Sequence, residues 1–174
     1  PSSGAPCRRD SSSSISPSSS GIREAALRLR SSGETGVSGG VETSSTSSAA
    51  GPDGRAAFRT KHLFDGREWS GWGTAPGDVE GAWFSVRFDT MRYLTSLEFV
   101  PGHERDGKSY MRCGRPKGFT VVTERESRDF AFTSRRYKQG VTFEPPLAAR
   151  EVRFVVSGIH GKARDAGVCL SELR

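Results

Sequence analysis

From Phe84 onward the chain breaks into short runs that alternate apolar and polar residues with a period of two. Phe84, Val86 and Phe88 alternate with Ser85 and Arg87, and Leu97 and Phe99 with Ser96, Glu98 and Val100. Phe119, Val121 and Thr123 alternate with Thr120, Val122 and Glu124. Phe130 and Phe132 flank Ala131, Val141 and Phe143 flank Thr142, and Val152, Phe154 and Val156 close the series. Successive side chains of a strand point to opposite faces, so this period marks half-buried antiparallel strands. Glycine and proline punctuate the runs at Pro101-Gly102, Gly114 and Pro116, Gly140, Pro145-Pro146, Gly158 and Gly161. No helical heptad occurs among them. The pattern predicts a β-sandwich or jelly roll.

The strand pattern does not extend to the N-terminus. Residues 1–54 are dominated by Ser, Thr, Gly, Pro and Ala and contain no aromatic residue; the first is Phe58. Such a segment buries too little apolar area to offset about 1–2 kcal/mol of backbone entropy per ordered residue. It reads as a disordered, Ser/Gly-rich tether. Within it, Ile22, Ala25, Ala26 and Leu29 would share a face over two helical turns, a helix too short to stand alone. Residues 55–174 then form one domain of ordinary size.

The net charge of +6 belongs to that domain, because acids and bases balance in the tether. Its cations are interleaved with acids: Arg125 stands between Glu124 and Glu126, and Arg128 precedes Asp129. A basic stripe interleaved with stacking aromatics is missing, so nucleic acid is not the expected partner. A salt-sensitive patch toward an anionic partner would fall in the loop from His103 to Lys117. No run of 18 apolar residues occurs, so no membrane-spanning helix is expected. Cys7 lies in the tether, Cys113 in a loop and Cys169 near the end, and no CxxC pair exists to build a zinc ribbon or redox motif. Cys113 and Cys169 could pair, but the sequence sets no distance between them, and two buried or idle thiols is the favoured expectation. The chain opens on Pro, so a targeting signal could lie out of view.

Two signatures bracket the domain: Leu63-Phe64-Asp65-Gly66-Arg67-Glu68-Trp69-Ser70-Gly71-Trp72, and Cys169-Leu170-Ser171-Glu172-Leu173. With Gly81-Ala82-Trp83-Phe84, Gly114-Arg115-Pro116-Lys117 and Asp165, they make the span from Phe58 to Leu173 resemble the coagulation-factor 5/8 type C, or discoidin-like (galactose-binding-like), family. The nearer likeness is to its NAD glycohydrolase translocation (NADase-type glycan-binding) variant. That resemblance implies an all-β, discoidin-like jelly-roll β-sandwich of about eight antiparallel strands that binds a glycan or another surface ligand without catalysis. It also implies a monomeric domain of a larger protein in an extracellular or cell-surface setting. The enzyme portion that accompanies the variant has no counterpart here, so NAD hydrolysis is not implied.

Relatives in that family carry a structural calcium where the opening loop meets the closing strand. Asp65 and Glu172 could supply carboxylates, Ser70 a hydroxyl and Arg67 a backbone carbonyl. The cation of Arg67 would oppose a metal, and Glu172 could pair with it instead, so a metal-free polar latch is the favoured alternative. Glycan sites set an aromatic face against the sugar and planar polar groups against its hydroxyls. Trp69, among polar neighbours, is the candidate platform, while Trp72 and Trp83 sit at core positions. His103, Arg105, Tyr110, Arg112 and Arg115 on one side, and Arg164 and Asp165 on the other, are the candidate polar and aromatic contacts; ordinary solvated loops are the alternative. There is no GxSxG elbow, HExxH pair or GxxxxGK[ST] loop, and the three His residues lack spaced acidic partners. Binding, not chemistry, is the expectation. A protein-interaction or spacer domain of an envelope or membrane protein is the runner-up.

Overall fold

The computed structural model describes residues 35–38, 41–45, 58–103, 107–162 and 166–174, all inside the compact unit Ser32–Arg174. The strands among the described residues are β1 (Thr35–Ser38), β2 (Val41–Ser45), β3 (Trp72–Gly73), β4 (Trp83–Pro101), β5 (Cys113–Pro116), β6 (Gly118–Val122), β7 (Ser127–Ala131), β8 (Gln139–Val156), β9 (Ile159–His160) and β10 (Ala166–Leu173). A 3-10 turn spans Thr60–Phe64 and a short helix, α1, spans Gly107–Arg112.

The long strands β4 and β8 organise the sandwich. They pair antiparallel from Trp83 opposite Val155 to Phe99 opposite Gln139, with register shifts between Arg87 and Arg92 and between Leu94 and Ser96. Those irregularities bend the ribbon, so its two halves serve different parts of the curled sheet. Around Phe84 and Val86, β4 lies between β2 and β8, and β8 passes the sheet on to β6 and β7. Around Phe99 and Val100, β4 lies between β8 and β10. β10 in turn pairs antiparallel with β3 and parallel with β5, and β5 pairs with β9.

The apolar members of the alternating runs meet inside. Phe84 stacks on Phe154 at 4.8 Å and lies 4.9 Å from Trp72, while Phe99, Phe119 and Phe132 form an edge-to-face cluster at 4.4–5.8 Å. Leu63, Val121, Leu147, Val168 and Leu170 fill the spaces between these rings. Trp83 is also buried, but outside this cluster, with the Arg153 guanidinium 4.1 Å over its ring.

Several expectations change. The ordered sheet starts before residue 55: Val41–Ser45 pairs with β4 from Val41 opposite Phe88 to Ser45 opposite Phe84, and Thr43 and Ser45 are buried. Apolar content alone hid this strand, because it is held by backbone bonds and by contacts such as Ser44 Oγ to Ser85 Oγ at 2.7 Å. The rest of the predicted tether, including the possible helix at residues 22–29, lies outside the described residues. The runs 84–88 and 96–100 belong to one strand, as do 141–143 and 152–156. Pro145-Pro146 does not end β8 but falls in the register break between Leu147 and Thr142, where no ladder N–H is required; the Glu144–Pro145 bond is cis. One strand pair, β5 with β10, is parallel. Cys113 and Cys169 form a disulfide across that pair, with Cα atoms 5.8 Å apart, in place of two idle thiols. No helix among the described residues is long and apolar enough to cross a membrane.

Candidate ligand-binding site

The opening loop is organised by Asp65. Its carboxylate accepts the Arg67 N–H at 2.9 Å and the Ser70 hydroxyl at 2.7 Å, and Ser70 Oγ also lies 3.1 Å from the Arg67 carbonyl. Gly66 takes φ +73°, a conformation an L side chain resists, so the turn needs glycine there. The loop then enters β3, where Leu170 lies opposite Trp72 and Cys169 opposite Gly73. A Cβ on Gly71 would strike the Leu170 backbone, which is why the chain can lie so close. The two signature segments are therefore neighbours.

Turning the loop this way pushes Trp69 outward. Its side chain is 62% exposed, and the Arg67 guanidinium sits 5.9 Å from its ring. Beneath it, His103 Nε2–H donates to the Trp69 carbonyl at 3.0 Å, and the imidazole meets Phe58 edge-on at 4.8 Å. His103 is thus a buried support of the Trp69 loop, with Nδ1 unpartnered among the described residues.

The loop from His103 to Lys117 is not uniformly solvated. Part of it is the helix α1, which packs the ring of Tyr110 (7% exposed) against Gly102 and the guanidinium of Arg115. The Tyr110 hydroxyl donates to the Ser134 carbonyl at 3.3 Å, so the ring is an interior strut and not an open platform. Arg115 is itself buried at 8% exposure, whereas Arg112 is exposed at the end of α1. Arg105, Arg164 and Asp165 lie outside the described residues. One participant escaped the sequence analysis: Arg136 stands 5.1 Å over the Tyr110 ring. The run Arg135-Arg136-Tyr137-Lys138, basic residues around an aromatic, was the available signal. Trp69, His103, Gly102, Tyr110, Arg115 and Arg136 thus follow one another by contact, joining the opening loop, α1, β5 and the turn after β7.

Glu172, from β10, is buried beside the opening loop. It does not pair with Arg67; its Oε1 lies 3.6 Å from Arg174 Nε, and Oε2 has no partner among the described residues. Burial pushes its carboxyl above the usual range, Arg174 opposes the shift, and the charges of Asp65 and Glu68 add to it. No group of three His, Cys, Asp or Glu side chains able to share a metal stands among the described residues. The donors near the loop are two carboxylates, a carbonyl and a hydroxyl, all hard oxygens of the type calcium takes. The Arg67 guanidinium sits 5.9 Å from the Trp69 ring, and Glu172 faces Arg174 in its place.

This architecture is a discoidin-like jelly-roll β-sandwich. Three solved structures share it. The family 32 carbohydrate-binding module (CBM) from Clostridium perfringens NanJ, in complex with galactose, superposes with a TM-score of 0.57 at 18% identity, over 76% of this chain and 90% of that one. CpGH89CBM32-5, also from C. perfringens and in complex with GalNAc-β-1,3-galactose, gives 0.59 at 16% identity, over 78% and 94%. The F5/8 type C domain of a Bacteroides fragilis protein gives 0.53 at 17% identity, over 81% and 93%. At these identities the likeness is one of fold. No protein-family model and no curated protein sequence matches the chain.

Proposed function

We propose that the sandwich is a non-catalytic module that binds a glycan or glycoconjugate on the rim carrying Trp69. The observation that carries this reading is the exposed indole of Trp69, held from below by His103 and set beside the cationic, aromatic contact chain that runs to Arg136. An exposed, backbone-supported aromatic plane is what a sugar's C–H face requires. The fold supports it: two of the neighbours were solved with galactose-containing sugars. The Cys113–Cys169 disulfide suits an oxidising, extracellular setting. Assignment to the NAD glycohydrolase translocation variant rests on the sequence motifs alone.

The same reading seats a structural calcium among Asp65, the Arg67 carbonyl, Ser70 and Glu172. A cation there would take up the unpartnered Glu172 oxygen and tie the opening loop to β10. Its role would be mechanical, holding the base of the Trp69 loop.

A glycan array of galactose-terminated structures tests the assignment. The wild-type protein is expected to bind at least one, and Trp69→Ala to lose about tenfold in affinity with an unchanged melting temperature. Retention equal to wild type would remove Trp69 from the site. Capture of a single protein partner with no sugar bound would favour an interaction module instead.

A further inference from the structure

Arg115 is a buried cation with no carboxylate paired to it among the described residues. Its guanidinium carries five N–H donors and stays charged at any physiological pH, yet no hydrogen bond or ion pair to it is present among the described residues. The Tyr110 ring lies 4.8 Å from it, and a ring face cannot accept five donors. Nε is fully enclosed and unpartnered. An enclosed N–H without a partner is costly, and an anion meeting the outer fork would offset part of that cost.

Three further observations converge on the same spot. Gly161, exposed and at φ +83°, leaves open the position where a Cβ would come 2.8 Å from Arg115 Nη2, so the backbone covers the guanidinium without a side chain in the way. Arg136 brings a second guanidinium to the same Tyr110 ring at 5.1 Å. The pairing of β5 with β9 puts His160 opposite Arg115 in the ladder, and its Nε2–H is committed to the Phe132 carbonyl at 2.9 Å. The planar fork of the Arg115 guanidinium matches a two-oxygen acceptor.

We propose that Arg115 seats an anionic substituent of the ligand, a carboxylate or a sulfate ester on a sugar. The module would thereby prefer acidic glycans to their neutral counterparts. This inference rests on the glycan-binding reading above, and its test separates the two.

Titration calorimetry at low and moderate salt would compare galactose with galacturonic acid and with galactose 6-sulfate, which differ only at C6. At least one acidic sugar is expected to bind about tenfold tighter than galactose, as charge-assisted bidentate bonds outweigh neutral ones. The preference should shrink with salt. Arg115→Gln should lower the acidic sugars to the affinity that the same variant shows for galactose; Arg115→Lys, which keeps the charge and loses the fork, should retain part of the preference. The wild-type preference is decisive even if these variants fail to fold. Galactose bound as well as both acidic sugars would overturn the anion seat and leave the glycan reading standing. No sugar bound at all would overturn both. Tight binding of a single-stranded oligonucleotide, lost in Arg115→Gln and without sugar binding, would transfer the seat to a phosphate backbone and overturn the acidic-glycan assignment.

Discussion

Glu172 concentrates the energetics of the opening loop in one side chain. Its carboxyl is raised above the ordinary range by burial, so the folded protein holds a proton there over a pH interval in which the unfolded chain releases it. The associated stability is therefore present below the unfolded carboxylate pKa, about 4.3, and is lost as pH rises through the folded value. Glu172→Gln, neutral throughout, is expected to melt a few degrees above wild type at pH 7 without calcium, with the gap closing toward pH 4. Calcium should raise the melting temperature of the wild type and leave Glu172→Gln unmoved. A wild type indifferent to both calcium and chelator would reduce the loop to a hydrogen-bonded latch built on Asp65 and Ser70. Trp69 and Tyr110 differ in the same way that surface and interior do. Both are candidate sugar contacts in sequence, yet only Trp69 can be removed at little structural cost; Tyr110→Ala would empty space between Gly102 and Arg115.

Among the elements, β5 depends most on a covalent tie. It has four residues, pairs parallel with β10 through Ala166 and Val168, and is joined to β10 by the Cys113–Cys169 disulfide. The bridge closes a loop with a sequence separation of 56, so Cys113→Ser is expected to cost about 2–4 kcal/mol. A thermal melt of wild type with and without reductant should show the same loss. Equal melting in both conditions would mean that the bridge adds nothing to the fold. Because Arg115 lies in β5, reduction is also expected to loosen the anion seat proposed above. The bent ribbon of β4 and β8 behaves differently. Its stability comes from Phe84, Phe99, Phe143 and Phe154 facing one interior, and Phe84→Ala would cost about 3–5 kcal/mol.

At the scale of the whole molecule, the β4 edge decides where the domain begins. Val41–Ser45 covers that edge through a five-residue register, from Phe88 to Phe84. A chain shortened to start at residue 55 would bare a row of unpaired backbone groups and is expected to melt at least about 3 °C below one starting at residue 32. Size-exclusion chromatography should show the shorter chain associating; identical melting and a clean monomer peak would place the boundary at residue 55 after all. Much of this molecule was legible in its residues. Period-two runs such as Phe119, Val121 and Val152, Phe154, Val156 identify the strands, because a buried face demands apolar side chains at every second position. The motifs at 63–72 and 169–173 identify the loop and strand that meet. The strand at 41–45 was not legible, since backbone pairing to a neighbour requires no apolar signature. Nor was the continuity of β4 and β8, because register shifts relax the alternation just where the ribbon bends. The burial of Tyr110 and Arg115, the arrival of Arg136 beside them and the Cys113–Cys169 bond depend on distances between segments far apart in the chain. Sequence alone determined which residues prefer the interior and which prefer water; the tertiary structure decided which of them touch, because only folding converts chain separation into proximity.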